Sequence, residues 1–219
     1  MSNRGPLRTL VYAAHELRGE IALQVALVEV ALADPNGDTS ALRKMGERVV
    51  AGCHRQEQLL EALLTLARSE HGPLTREPIN LATTAVEVLR AHEHRGLRSQ
   101  AALEPARTTG DPRLVERLVA NLVGNAVRHN VPGGRLDIGT RTAAGRAILT
   151  IANTGPVIPT GDLSRLFQPF QRLSARSVDG VGLGLAIVQA IANAHDATVT
   201  ARARTGGGLG IDVAFPALD

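Results

Sequence analysis

Residues 121–129 read NLVGNAVRH, which places two asparagines four residues apart in an otherwise apolar helix. Asn121 and Asn125 therefore project from one helix face. Asparagine forms helices poorly, so two of them on one face need partners. An amide oxygen can ligate a hard cation such as Mg²⁺, and Arg128 and His129, one turn further on, lie near enough to contact a bound nucleotide. A helix with capping and core amides has the same sequence pattern, so both interpretations stay open here.

The segments around this helix alternate between helices and strands. Gly110-Asp111-Pro112 is typical of a helix start, with Asp111 as the N-cap and Pro112 in the first helical position. Helices interleaved with antiparallel strands predict an α+β fold, an α/β sandwich in which helices stack on one face of a sheet. The helical patterns lie at 81–95 and 183–194, and the strand patterns lie at 135–142, 146–152, 198–204 and 209–215.

Two glycine-containing segments point to ligand contact. Asn153-Thr154-Gly155 follows a predicted strand, where a glycine lets the backbone approach a flat ligand and Asn153 can accept from and donate to a base edge. A plain turn would also explain this segment. Gly180, Gly182 and Gly184 alternate before a helix, which exposes backbone N–H groups to an anion. Their spacing is that of neither a Rossmann nor a Walker loop.

The first third of the chain predicts two long helices joined by a turn at 34–38. Two such helices form an antiparallel hairpin, and a lone hairpin leaves its apolar seam uncovered. Pairing with a second copy in a four-helix bundle would cover the seam. Cys53 falls on the seam and is interpreted as core. The seam positions are Leu10, Ala14, Leu17, Ile21, Val25, Val28 and Leu32, then Leu42, Met45, Val49, Cys53, Gln56, Leu60, Leu63 and Ala67.

His15 and Glu16 lie beside this seam on the first helix. An imidazole next to a carboxylate suits a phosphoryl acceptor, because Glu16 can hold one ring N–H and leave the other nitrogen free to attack. A solvated pair on a helix surface has the same sequence. His54, His71 and His195 are interpreted as surface or helix-end residues.

Composition excludes several classes of protein. Apolar residues make up 44% and charged residues 21%, which is ordinary for a globular chain. The net charge of +3 is small, and aromatic residues make up 2%, so we do not expect a surface that binds nucleic acid. No apolar run approaches the ~20 residues that span a bilayer, and no signal peptide is evident. We expect a cytoplasmic chain that does not itself contact a membrane, with any plasma-membrane anchor of a full-length protein outside it.

Taken in order, these segments resemble the cytoplasmic catalytic core of a two-component sensor histidine kinase. That core is a dimerisation and histidine-phosphotransfer hairpin followed by an ATP-binding domain of the gyrase, chaperone, kinase and mismatch-repair type. The resemblance covers nearly the whole chain and predicts a hairpin at 1–72, a linker at 73–79 and an ATP-binding domain at 80–219. The matching motifs are the H box at 15–18, the N box at 121–129, the G1 box at 153–155, the F box at 166–170 and the G2 box at 180–184.

The resemblance implies ATP and Mg²⁺ as cofactors. Asn125 would hold Mg²⁺ with Asn121 nearby, Arg128 and His129 would contact phosphate or nucleotide, and Asn153 would read the adenine edge. The glycines of the G2 box would frame the phosphates below a lid at about 171–179. The nucleotide-binding residues implied in this way are Asn121, Asn125, Arg128, His129, Asn153, Gly155, Phe167, Gly180, Gly182, Gly184 and Leu185.

The resemblance also implies the reaction and the partners. His15 would attack the γ-phosphate with Glu16 as general base, in a homodimer formed through the hairpin. The phosphoryl group would then pass to an aspartate in the receiver domain of a response regulator. Because the chain begins a few residues before the H box, we expect either a fragment of a longer protein or a kinase core without its own sensor.

Four positions depart from the family pattern and motivate rival hypotheses. Gly19 and Glu20 stand where Thr and Pro are usual, which puts phosphatase activity towards the regulator in doubt. Asn153 replaces an aspartate, and Val157 replaces a glycine and would narrow the base pocket. The alternatives are a catalytically weak nucleotide-binding docking module that dimerises, or an ATPase of the same fold that phosphorylates no histidine.

Overall fold

The structure, a computed structural model, describes residues 5–33, 38–71, 76–91, 96–171 and 182–218. The chain divides into two compact units, Met1–Leu64 and Thr65–Asp219. The boundaries expected at residues 72 and 79 stay a prediction. Within the described ranges, no helix combines the length and apolarity that crossing a membrane requires.

The first unit is built from the two predicted helices, α1 (Gly5–Ala33) and α2 (Thr39–His71), of which α2 continues past Leu64. Asp38 starts α2 as its N-cap, since its Oδ1 accepts the Ala41 N–H at 2.7 Å. The helices contact each other through Gln24 and Gly52, where a side chain on Gly52 would collide with the Gln24 amide. Gln56 Nε2 also donates to Gln24 Oε1 at 3.4 Å.

The predicted apolar seam separates into two faces in the structure. Leu17 and Val28 are half-buried, whereas Val25 is 50% and Leu32 78% exposed. The prediction that Cys53 is a core residue is wrong for the single hairpin, because its side chain is exposed. Each helix has one neighbour in the hairpin, so only the side chains that face this neighbour are covered. We define the exposed apolar face as the aliphatic side chains Ile21, Val25 and Leu32 on α1 and Leu42, Val50, Leu60 and Leu64 on α2; Leu23 and Val30, on another side of α1, are exposed as well.

The second unit is an α/β sandwich, as predicted. Its five-stranded sheet has the order β2-β4-β5-β7-β6, with β2 parallel to β4 and the other neighbours antiparallel, and β1 pairs with β3 in a small second sheet. The strands are β1 (Glu77–Asn80), β2 (Arg98–Leu103), β3 (Arg107–Gly110), β4 (Arg135–Ala143), β5 (Arg146–Asn153), β6 (Thr198–Ala203) and β7 (Leu209–Pro216). The helices are α3 (Leu81–Ala91), α4 (Pro112–Arg128), α5 (Gly184–Ala194) and a 3₁₀ helix (Thr160–Phe167).

The core lies between one sheet face and the helices. Alternate residues of the central strands are buried, which is the period-2 pattern of a sheet covered on one side. Leu136 and Ile138 on β4 and Leu149 and Ile151 on β5 are at most 3% exposed. The sequence missed β1, β2 and β3. The edge strand β2 is largely exposed and carries no alternation that could have revealed it.

His195 joins the end of α5 to the start of α4. Its buried ring accepts the Asp111 N–H at Nε2 (3.0 Å), and its Nδ1 lies 2.7 Å from the Ile191 carbonyl oxygen, to which it donates. Gly110 makes room for the ring, since a Cβ there would lie 2.6 Å from Nε2. The contact sets α4 and α5 antiparallel, so the start of α5 lies towards the C-terminal half of α4.

Replacing His195 with alanine is expected to lower the free energy of unfolding by about 2 to 4 kcal/mol. The substitution leaves the Asp111 N–H without its acceptor and opens a cavity beside Phe215, whose ring centroid lies 6.1 Å from that of His195. Urea unfolding followed by circular dichroism measures the loss. His54→Ala, at an exposed position of α2, is the control and should stay within about 0.5 kcal/mol of the parent. Equal stability of the two variants would contradict the assigned contact.

Candidate nucleotide-binding site

The asparagine pair of α4 meets the start of α5. Asn121 and Asn125 are both half-buried on one helix face, as predicted. Asn121 Nδ2 donates to the Arg117 carbonyl at 2.8 Å, which leaves its Oδ1 facing α5. A Cβ on Gly184 would lie 3.3 Å from that oxygen. The structure therefore brings the N-box and G2-box segments into contact, although about 60 residues of chain separate them.

Asn125 is the residue of this pair that is free to bind a ligand. No residue in the described part of the chain hydrogen-bonds its side chain. Half-buried amides normally have partners, so an amide without one on a helix face is suited to a bound group. The described residues contain no cluster of three or more His, Cys, Asp or Glu. A cation held here would take one amide oxygen, with phosphate oxygens and water as its other ligands, which fits Mg²⁺.

The end of α4 meets the G1 turn. Arg128 and His129 are exposed there, and the His129 N–H closes the helix on the Asn125 carbonyl at 3.0 Å. A Cβ on Gly155 would lie 2.6 Å from the His129 carbonyl oxygen. Only glycine permits this approach, so Gly155 sets the distance between the two segments.

Asn153 is a buried polar residue at the end of β5. Its Nδ2 donates to the Thr154 carbonyl at 2.7 Å. No donor in the described residues reaches its Oδ1, so this oxygen is an acceptor left for a ligand. Val157, expected to narrow the base pocket, is 77% exposed, which does not fit a side chain that fills a pocket wall.

A turn of three glycines, Gly206–Gly208, packs against the main chain of Asn153. Gly208 has φ +105°, and a side chain on it would collide with the Asn153 carbonyl oxygen. Its N–H donates to the Pro156 carbonyl at 3.0 Å. The sequence identified Gly206-Gly207-Gly208 only as a connection between strands, because nothing local indicates what the turn packs against.

The G2 segment leads into α5, and within the described ranges no side chain caps the N–H groups at the start of this helix. Leu183, the N-cap of α5, makes no side-chain capping bond. N–H groups at such a helix start can bind phosphate, and the helix dipole adds to the attraction. Leu185, in the first turn of α5, is buried. Gly182 has φ +73° and accepts the Phe170 N–H at 2.9 Å.

Some predicted site residues are only partly described. Phe167 is half-buried at the end of the 3₁₀ helix. Gly180 and nearly all of the predicted lid lie outside the described residues. His15 and Glu16 lie in α1, where the structure describes the helical backbone but not these side chains.

These features define a class of protein, and comparison with known proteins identifies it. The family model for histidine kinase-, DNA gyrase B- and HSP90-like ATPases matches residues 110–219. The chain belongs to this ATPase family.

Within that family, the chain is similar to the sensor histidine kinases of two-component systems. Sensor protein CutS of Streptomyces coelicolor is 41% identical over 212 residues, which cover 93% of this chain and 51% of CutS. The solved structure of Acinetobacter baumannii histidine kinase AdeS has a TM-score of 0.72 at 26% identity, over 94% of this chain and 98% of the solved chain. Histidine kinase ThkA shares the fold at 18% identity, with a TM-score of 0.70 over 96% of this chain and 61% of that one. The resemblance and fold class predicted from the sequence are confirmed.

The chain spans about half the length of the curated relatives it matches.

Proposed function

We propose that the chain is the catalytic core of an ATP-dependent protein-histidine kinase that phosphorylates His15 and then passes the phosphoryl group to an aspartate of a response regulator. The observation that carries the proposal is the meeting of distant segments at one end of the α4–α5 pair. Asn121 lies against Gly184 and His129 against Gly155. These contacts support a single nucleotide site, to which Asn125 would bring an amide without a partner among the described residues, the start of α5 its N–H groups and Asn153 a buried amide.

Different residues of the site bind different parts of the nucleotide. The Asn153 Oδ1 accepts from the 6-amino group of adenine, and the N–H groups at the start of α5 bind phosphate oxygens. Asn125 would hold Mg²⁺, and a bound Mg²⁺ would neutralise and orient the phosphates. Arg128 and His129 add positive charge or hydrogen-bond donors at the end of α4.

His15 receives the γ-phosphoryl group. A ring nitrogen forms the new bond to phosphorus as the bond to the β–γ bridging oxygen breaks, and ADP leaves. Glu16 holds the other ring N–H, which keeps the attacking lone pair available. Catalysis of such a transfer depends mainly on positioning and charge neutralisation.

A receiver domain of a response regulator is the proposed second substrate, whose aspartate takes the phosphoryl group from His15. The solved structure of ThkA holds that kinase in complex with the response regulator TrrA. ATP and response regulators both occur in the cytoplasm, so we assign the activity to this compartment.

A second copy of the chain is the proposed partner of the exposed apolar face of the hairpin. This face presents large aliphatic side chains along both helices, as the seams of a four-helix bundle do. Val25→Glu should raise the dimer dissociation constant roughly 100-fold, because each subunit would bury an unpaired carboxylate. Sedimentation equilibrium measures the change. Arg48→Glu on α2, at an exposed position outside this face, is the control and should leave the dimer intact. A parent chain that is monomeric at micromolar concentration would refute the pairing.

Incubation with γ-labelled ATP and Mg²⁺ tests the proposed activity. We expect label on the protein that is lost in acid, retained in base and absent when the metal is chelated. ATP binding without label would instead support the weak docking module, which the departures at Gly19 and Asn153 motivate. Phosphate release without any labelled protein would support an ATPase that phosphorylates no histidine.

A further inference from the structure

Thr154 ties the G1 turn to the end of α4. Its Oγ1 donates to Asn130 Oδ1 at 2.6 Å and accepts the Arg135 N–H at 2.8 Å. Asn130 Nδ2 in turn donates to the Arg135 carbonyl at 3.1 Å. The threonine side chain is thus held on both sides, by the residues that follow α4 and by the first residue of β4.

The main chain of Thr154 is hydrogen-bonded to the side chain of Asn153. The Thr154 carbonyl accepts from Asn153 Nδ2 at 2.7 Å. An asparagine amide can turn over and exchange its donor and acceptor, and this hydrogen bond decides which of the two is left for a ligand. With Nδ2 engaged, Oδ1 is presented.

An amide held with its oxygen towards the ligand discriminates between purines. Adenine carries a donor at its 6-amino group, whereas guanine carries an acceptor at its 6-oxo group. An aspartate can only accept, but an asparagine needs a neighbour that fixes its orientation. Thr154 supplies that neighbour, and Asn130 and Arg135 keep it in place.

We propose that Thr154 is a positioning residue that holds the Asn153 amide in its accepting orientation and so makes the site select adenine over guanine. The inference rests on the proposed function, since it concerns the same nucleotide site. It assigns a positioning role and a specificity mechanism to Thr154, a G1-box position to which the motif pattern gave no role.

The test compares Thr154→Val, which removes the hydroxyl at nearly constant shape, with Thr154→Ser, which keeps it. Calorimetry measures the dissociation constants for ATP and GTP with Mg²⁺, and thermal unfolding is recorded alongside. We expect Thr154→Val to raise the dissociation constant for ATP roughly tenfold and that for GTP much less. The preference for ATP over GTP therefore falls about tenfold. Thr154→Ser should keep the preference within about twofold. If the role of Thr154 were purely structural, the substitution would lower the melting temperature and weaken the binding of ATP and GTP to the same extent.

An unchanged preference in Thr154→Val overturns the inference, as does a parent chain that binds both nucleotides equally. If Thr154→Val does not fold, Asn130→Ala removes the same tether from its other end and should lower the preference in the same direction. An unchanged preference in that variant overturns the inference equally. Failure of the parent chain to bind ATP at all would instead refute the proposed function.

Discussion

His15→Ala is expected to abolish the acid-labile label from γ-labelled ATP, slowing phosphoryl transfer to the protein by at least about a thousandfold. Alanine offers no lone pair to the phosphorus, and no neighbouring residue of the H box can replace the imidazole. Quantifying acid-labile phosphate on the protein over time measures the loss. The affinity for ATP should not change, because none of the residues proposed to bind the nucleotide lies in α1.

His54→Ala is the matched control for the acceptor. His54 is also a helical histidine beside a glutamate, with its Nδ1 3.6 Å from Glu57 Oε2, and both side chains are largely exposed. Its replacement should leave labelling at the parent rate. Label that persists in His15→Ala and disappears in His54→Ala would move the acceptor to α2 and contradict the H-box assignment.

Asn125→Ala should weaken the binding of Mg²⁺·ATP by about a hundredfold or more, which corresponds to about 2.7 kcal/mol. Under the proposed function, the Asn125 amide oxygen is the protein ligand of the cation. The same change should leave the free energy of unfolding within about 1 kcal/mol of the parent or raise it, since alanine favours a helix more than asparagine does. Asn125 makes no side-chain hydrogen bond among the described residues that could be lost.

Calorimetry with and without Mg²⁺, together with urea unfolding, separates the two effects of this substitution. Asn193→Ala on α5 is the control, because Asn193 is an exposed helical asparagine whose amide pairs with Gln189 at 2.8 Å. Its replacement should not alter ATP affinity. Retained Mg²⁺·ATP affinity in Asn125→Ala would exclude Asn125 as the cation ligand, whereas loss of both affinity and fold would show a structural role.

Much of the architecture could be predicted because it depends on local patterns. The spacing of apolar residues in α4 and the N-cap at Asp111 define that helix without reference to the rest of the chain. The strand pairs around Ala144-Gly145 and Gly206–Gly208 were predicted from alternation and turn residues. The edge strand β2 was missed because an exposed strand has no buried face to produce alternation.

The hairpin shows where such patterns stop being informative. Apolar spacing predicted both helices but merged two faces into one seam. Glu20 and Gln24, both polar, lie on half-buried positions of α1, whereas the apolar Val25 and Leu32 are exposed. Which face meets the neighbouring helix depends on how the pair packs, and residue type alone does not determine that.

The candidate site was also predicted only in part. The resemblance indicated which segments carry chemical groups, and the structure brings Asn121 to Gly184 and His129 to Gly155. The roles assigned to these residues stay predictions until nucleotide binding is measured. Thr154 and Asn130 were overlooked because their contact joins residues 24 positions apart at the ends of different elements.

The sequence by itself determined most of the helices and strands, their order, and the amides, glycines and histidine available for chemistry, because periodicity and short motifs are properties of neighbouring residues. Only the tertiary structure decided which helix face is covered, how the Asn153 amide is turned and how α5 is tied to α4. Those outcomes depend on contacts between residues far apart in the chain, such as Asp111 with His195, 84 positions away. The packing of the whole sandwich sets such contacts, and no local pattern encodes them.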